Sequence, residues 1–155
     1  MPYRYLEGIT TADVAFEASG VTLEEVFRAS ADAVLQVMLS NPDALHPQVR
    51  KTIVIKLETV DTVSRPIETA QCLLHDFLEK LLYFKDAENL LLRASEIKFR
   101  QDSRGRLDAL EAVCLGEVMD PSRHFLETDV KAITHHHFGI AQTAEGWTAR
   151  VVIDV

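Results

Sequence analysis

The alternation of apolar and polar residues predicts one strand near each end of the chain. Residues 13–20 alternate between an apolar face and a polar face that begins with Asp13. Residues 147–155 alternate in the same way, and Asp154 lies on their polar face. Each of these strands therefore carries one carboxylate at its edge, and we predict that Asp13 and Asp154 meet.

Two helices are predicted between these strands. Thr22 and Glu25 form a capping-box pattern, and apolar residues then recur at helical spacing until Asn41-Pro42. A second helix is predicted to enter through Ser64-Arg65-Pro66, because proline is tolerated in a first helical turn. Its wide apolar stripe ends at Phe84, and residues 85–89 are expected to form the turn that follows.

The other segments alternate as strands, which we expect at residues 3–6, 49–60, 90–115, 130–134 and 138–143. A turn at residues 102–105 predicts a hairpin, and a shift in the alternation predicts a β-bulge near Ala94-Ser95. The order of elements predicts an α+β fold, in which two helices pack on one face of a mixed, largely antiparallel sheet. Residues 1–155 are expected to form a single domain.

Composition and charge narrow the class of protein. A hydrophobic content of 47% and a charged content of 26% are typical of a globular domain. The net charge of −8 argues against a protein that grips nucleic acid through its whole surface. We see no membrane span and no secretory signal, and we interpret Cys72 and Cys114 as buried free thiols. These features predict a cytoplasmic protein.

Asp13 and Asp154 are the candidate metal ligands. Hard cations prefer oxygen ligands, so the two carboxylates could share a divalent cation, with Thr10, Thr11 or backbone carbonyls completing the site. A donor set made only of oxygen favours calcium or magnesium over zinc. The alternative is that each acid simply caps or solvates the end of a strand.

Three other polar groups have both a functional and a structural interpretation. In a strand, His135 and His137 share a face while His136 points away, so at most two of them could chelate together. A set of polar residues near a strand end is the simpler interpretation. Lys131 could contact phosphate or counter nearby acids, or it could be a solvated lysine. Arg123-His124 could touch a phosphate, although a surface turn is the favoured interpretation. The sequence contains no nucleophile motif.

Several short motifs, taken in their order along the chain, resemble the archease family. They are Thr11-Ala12-Asp13-Val14, the helix start at residues 22–27, Gly116-Glu117 followed by Asp120-Pro121 and Arg123-His124, Val130-Lys131-Ala132-Ile133-Thr134, and the ending Val151-Val152-Ile153-Asp154-Val155. Two departures exist. Many relatives have a histidine directly before the first motif, and this chain has none at that position. The usual tyrosine after Ala-Ile-Thr is replaced by His135 in this chain.

The resemblance implies that the protein activates the GTP-dependent RNA-splicing ligase, which joins RNA ends through a guanylylated histidine in tRNA splicing or RNA repair. It implies that the protein promotes guanylylation and multiple turnover of that ligase. The family's critical residues fall on Asp13, Lys131 and Asp154. The implied partner is the ligase, with RNA contacted only indirectly through it and no membrane involved.

Two other classes of function stay open. One is a stand-alone metal-dependent hydrolase that uses Asp13, Asp154 and either His135 or His137. The other is a chaperone-like binding module without a metal. The resemblance implies an activator that has no catalytic turnover of its own. Both alternatives can be tested against that expectation.

Overall fold

The computed structural model describes residues 2–8, 13–57 and 66–155, and within these residues the fold is α+β. Eight strands, two helices and one short 3₁₀ turn follow one another along the chain. They are β1 (Tyr3–Leu6), β2 (Val14–Gly20), α1 (Leu23–Met38), the 3₁₀ turn Pro42–Ala44, β3 (Val49–Lys56), α2 (Pro66–Glu88), β4 (Leu90–Gln101), β5 (Leu107–Val118), β6 (Ala132–Ile133), β7 (Gly139–Thr143) and β8 (Gly146–Asp154).

The strands divide between two sheets, where the sequence analysis expected one. The larger sheet has the order β1-β2-β8-β6, and β7 pairs with the same edge of β8 as β6 does. The smaller sheet has the order β3-β5-β4. Every strand pair among the described residues is antiparallel, so the largely antiparallel character is confirmed and no parallel pair is present in this part of the chain.

The two helices pack between elements of both sheets. Helix α1 contacts β1, β2 and β8 of the larger sheet and β4 of the smaller one. Helix α2 contacts all three strands of the smaller sheet and also β6 and β7. Phe27 of α1 joins these layers, because its ring stacks on Phe77 of α2 at 6.3 Å and meets Phe99 of β4 edge-on at 4.9 Å. Such aromatic contacts add to the burial of apolar surface that stabilises the core.

Helix α1 begins and ends as local signals require. The Thr22 hydroxyl accepts a hydrogen bond from the Glu25 N–H, and the Glu25 carboxylate accepts one from the Thr22 N–H, so the predicted capping box is confirmed. The helix ends at Met38, three residues before Asn41. The predicted hairpin of β4 and β5 is also confirmed, and its register shifts between Ala94 and Glu96 as the alternation indicated.

Several predicted element boundaries differ from the structure. Helix α2 continues to Glu88, so Lys85 is a basic residue of the last helical turn and not part of a connecting turn. Strand β6 has only two residues, because the polypeptide around it bonds to α2 as well as to β8. Strand β3 ends at Lys56; residues 58–60 of the predicted strand, like Ser64 and Arg65 at the predicted helix entry, lie outside the described residues. No helix in the described part of the chain is apolar over enough of its length to cross a membrane.

Candidate functional site at the edge of the larger sheet

The pairing of β2 with β8 brings Asp13 and Asp154 together. The last pair of this ladder is Val14 opposite Ile153, so Asp13 and Asp154 are each one residue beyond it, and Asp13 lies in a bend just before β2. Both aspartates are half-buried. The pairing of β2 with β8 therefore brings the backbones of Asp13 and Asp154 together at one end of these two strands.

Lys131 lies on the other side of Asp154. Its backbone N–H donates a hydrogen bond of 2.9 Å to the Asp154 carbonyl, and the next residue, Ala132, pairs with Asp154 in the ladder. The backbone of Asp154 is thus flanked by the residue before β2, Asp13, and by the residue before β6, Lys131. Lys131 is exposed and precedes β6, so the ladder fixes its backbone beside Asp154 but not the direction of its ammonium group.

The donors at this edge fit a cation that keeps most of its water. Within residues 2–8, 13–57 and 66–155, no three His, Cys, Asp or Glu side chains are grouped so that they could hold a metal ion. Magnesium is usually bound through one or two carboxylates with several waters retained, whereas calcium takes six to eight oxygen ligands. Two neighbouring carboxylates therefore suit magnesium in the described part of the site. Thr10 and Thr11, the other candidate oxygen ligands, and Ala12 of the first family motif lie outside the described residues.

A buried polar cluster holds the loop that leads to Lys131. Glu117, at the end of β5, is 2% exposed and accepts hydrogen bonds from the His46 N–H at 3.0 Å, the His124 Nε2–H at 2.8 Å and the Arg123 guanidinium. The His124 Nδ1 accepts from the Asp120 N–H at 2.8 Å, which fixes the ring as the Nε2–H tautomer. The hydrogen bond from Arg123, aided by those from His46 and His124, lowers the pKa of Glu117 to about 2.

This cluster assigns a structural role to the third family motif, the one that contains Glu117, Arg123 and His124. Arg123 donates to both Glu117 and Asp120, and His124 is buried, so neither side chain is presented to a phosphate. Residues 121–123 form the surface turn that the sequence analysis favoured. The cluster thus anchors the start of the loop between β5 and β6, which carries Lys131 at its other end.

Lys85 anchors the far end of the same loop, and sequence reasoning missed it. Its side chain is 5% exposed, and the ammonium group donates to the Val130 carbonyl at 2.7 Å and to the Asp129 carboxylate. Burial alone would lower the pKa of Lys85, but the hydrogen bonds with Asp129 and Asp86 raise it overall, so the amine stays charged. The available signal was spacing: Lys85 follows Leu78, Leu81 and Leu82 at helical intervals, which places a cation within the buried stripe.

The histidines and Cys72 differ from their predicted settings. Residues 135–137 form a turn between β6 and β7, and His137 has a φ of 55°, so His135 and His137 do not share a strand face. The His135 ring stacks on His75 of α2, with centroids 3.9 Å apart. Cys114 is buried as predicted, and burial raises its pKa to about 12. Cys72 is exposed on α2, so its interpretation as a buried thiol was wrong.

Comparison with known proteins agrees with this fold. The chain is 32% identical over 153 residues to the protein archease of Methanosarcina acetivorans, which covers 99% of this chain and 95% of that protein. It is 34% identical over 146 residues to the protein archease of Pyrococcus abyssi, with 94% of each chain covered.

Two solved structures share the architecture. The solution structure of protein 1598 of Methanobacterium thermoautotrophicum superposes with a TM-score of 0.78 over 99% of both chains at 24% identity. The crystal structure of an archease from Thermotoga maritima, described as a possible chaperone, gives 0.59 at 18% identity over 94% of this chain and 93% of that one. The family model described as the Archease protein family (MTH1598/TM1083) matches residues 3–155, and the chain therefore belongs to the archease family.

Proposed function

We propose that this protein activates a GTP-dependent RNA-splicing ligase by promoting transfer of guanylate to the ligase histidine and allowing repeated turnover. The observation that carries the proposal is the edge at which Asp13, Asp154 and Lys131 are neighbours on three adjoining segments. These are the residues on which the archease resemblance places the activating role. Together they supply two anionic groups and one cationic group, and the proposal requires none of them to react covalently with guanylate.

Such an edge can assist phosphoryl transfer without reacting itself. Catalysis of this reaction consists mostly of positioning and of neutralising charge on phosphate oxygens. Asp13 and Asp154 would hold a divalent cation, magnesium or calcium, and that ion would supply positive charge near a triphosphate. Lys131 would contact phosphate oxygens from beside Asp154, or would counter the acids until the ligase is engaged. The protein itself would then have no turnover.

The decisive experiment measures labelled guanylate incorporated into the purified ligase from the same organism, with and without this protein. We expect both a faster first guanylylation and more than one ligation per ligase molecule when the protein is present. The protein alone should neither hydrolyse GTP nor retain label. Equal incorporation with and without the protein would reject activation, and GTP turnover by the protein alone would support an enzyme instead.

A chaperone-like module is the second candidate, and one observation favours it. Val118, Phe125 and Leu126 are large apolar side chains that are 55%, 62% and 41% exposed around the loop between β5 and β6. Exposed apolar side chains in one region are typical of surfaces that bind other proteins. The description of the Thermotoga maritima archease as a possible chaperone agrees with such a role. Prevention of ligase aggregation without any change in its guanylylation rate would favour this candidate.

The hydrolase alternative has less support. It required His135 or His137 to join the two aspartates, but these histidines lie in the turn beyond β6, and His135 is stacked on His75. Incubation of GTP with the protein alone tests this alternative directly.

A further inference from the structure

Helix α2 presents a row of three polar side chains to the outer edge of the larger sheet. Gln71, His75 and Glu79 are spaced four residues apart, so they lie on one face of the helix. Gln71 accepts a hydrogen bond of 3.0 Å from the Ile140 N–H of β7. His75 and Glu79 bond instead to β6, which is two residues long and follows Lys131 directly.

Both backbone groups of Ile133 are bonded to this row. Its N–H donates to the Glu79 Oε1 at 3.0 Å, and its carbonyl accepts from the His75 Nε2–H at 2.8 Å. The opposite side of the same segment faces β8, where the Lys131 N–H donates to Asp154 and the Thr134 N–H donates to Val152. Ile133 is therefore held between α2 and β8, and its side chain is 3% exposed.

The residue before Lys131 is held by the same helix. The Val130 carbonyl accepts from the Lys85 ammonium at 2.7 Å, and Val130 is fully buried. Helix α2 thus fixes the chain at Val130 and at Ile133, while Lys131 between them is exposed. An edge strand must have its unpaired backbone groups covered in any case. Here the covering groups also fix the position from which Lys131 extends beside Asp154.

We propose that Glu79 and His75 are positioning residues of the activating edge, holding β6 so that Lys131 and Asp154 keep their mutual placement. This inference rests on the proposed function, because it assigns a task to Lys131. Neither Glu79 nor His75 is expected to contact a nucleotide.

Gln71 provides a matched control within the same row. Glu79→Leu removes the acceptor for Ile133, and Gln71→Leu removes an equivalent acceptor, with the same 3.0 Å bond, for Ile140 of β7. Glu79→Gln keeps a carbonyl oxygen that can accept from Ile133. If these bonds served only the stability of the sheet edge, the two leucine variants would behave alike.

The experiment measures guanylate incorporation into the ligase over a range of concentrations of each variant. Glu79→Leu should lower the maximal stimulation by about tenfold or more, because small misplacements of a positioned group are costly. Its half-maximal concentration should not change, Glu79→Gln should restore the maximum, and Gln71→Leu should match wild type. Equal losses in both leucine variants, or a change only in the half-maximal concentration, would overturn the proposal.

Amide hydrogen exchange provides a measurement that does not depend on the ligase. In Glu79→Leu, the Lys131 and Ile133 amides should exchange faster while amides of β3 and β5 keep their protection. Unchanged exchange at Lys131 would reject the positioning role even if stimulation fell. If the wild-type protein does not stimulate the ligase, the proposed function is rejected. The amide exchange rate of Lys131 in Glu79→Leu would then be the measurement that shows whether Glu79 positions this segment.

Discussion

At the scale of single residues, Asp13 and Asp154 are each one residue beyond the last pair of the β2–β8 ladder. The Lys131 backbone N–H donates to the Asp154 carbonyl on the other side. A divalent cation bound between the two carboxylates would offset the repulsion that like charges on neighbouring strands exert on each other.

The first prediction concerns these residues directly. Asp13→Ala, Lys131→Ala and Asp154→Ala should each fold normally, because substitutions away from core packing usually change the free energy of unfolding by no more than about 0.5 kcal/mol. Either aspartate variant could be slightly more stable than wild type, since like-charge repulsion is removed. Each variant should fail to stimulate guanylate incorporation into the ligase.

A thermal melt beside the guanylylation assay separates loss of folding from loss of function. Glu145→Ala, which removes an exposed acid from the β7–β8 turn at the opposite end of β8, is the control and should stimulate like wild type. Three variants that both melt and stimulate like wild type would place the activating site elsewhere.

The second prediction follows from the lowered pKa of Glu117. Its pKa falls from the ordinary 4.5 to about 2 in the folded protein, so the ionised cluster stabilises the fold fully above about pH 4.5. That contribution is lost progressively as the pH falls toward 2. The difference in urea unfolding midpoint between wild type and Glu117→Gln should therefore narrow below about pH 4.5. A difference that stays constant from pH 6 to pH 3 would contradict the role of the ionised carboxylate, and Glu145→Gln serves as the exposed control.

At the scale of elements, the sequence predicted the helix start, the hairpin and the bulge that depend on local sequence signals. The capping box placed the start of α1, the turn at residues 102–105 placed the β4–β5 hairpin, and the shifted alternation located the bulge after Ala94. Each of these features depends on residues a few positions apart. The pairing of β2 with β8 agrees with the predicted meeting of Asp13 and Asp154, but the meeting of their carboxylates stays a prediction.

Features that depend on distant parts of the chain were not predicted. The two-residue strand β6 is defined by bonds to α2 about 54 residues earlier in the chain, and alternation over residues 130–134 carried no sign of them. Cys72 was interpreted as buried because its neighbours are apolar, but on a helix only one face is covered.

The third prediction belongs to the turn between β6 and β7. Joint replacement of His135, His136 and His137 by Gln should leave stimulation of the ligase nearly unchanged, because all three are exposed and the His75 bond to Ile133 remains. Loss of the stacked ring pair should lower the free energy of unfolding by about 0.5–1.5 kcal/mol. The checks are the guanylylation assay and a chemical melt. If the variant remains folded but no longer stimulates the ligase, the histidines belong to the functional site and the hydrolase alternative is favoured.

At the scale of the whole molecule, charge is distributed unevenly. The outward face of the smaller sheet carries five exposed cationic side chains against two acidic ones: Arg50, Lys56, Arg93, Lys98 and Arg100, with Glu96 and Glu111. Because the whole chain has a net charge of −8, the rest of the chain, which includes Asp13 and Asp154, carries the acidic excess. We therefore expect a basic partner to approach through a surface other than the outward face of the smaller sheet.

The last prediction tests this orientation. An enzyme that binds RNA must present cationic side chains to the phosphates, so the ligase should attract the acidic edge electrostatically. Raising the salt from about 0.05 M to about 0.4 M shortens the screening length severalfold, and the half-maximal concentration of this protein should rise with it. Maximal stimulation, normalised to the basal guanylylation at each salt concentration, should stay constant because the bound geometry is the same. Lys98→Glu, on the basic face, should leave the salt dependence nearly unchanged. A half-maximal concentration that is constant or falls with salt would mean that apolar contacts, such as those around Phe125, dominate the encounter instead.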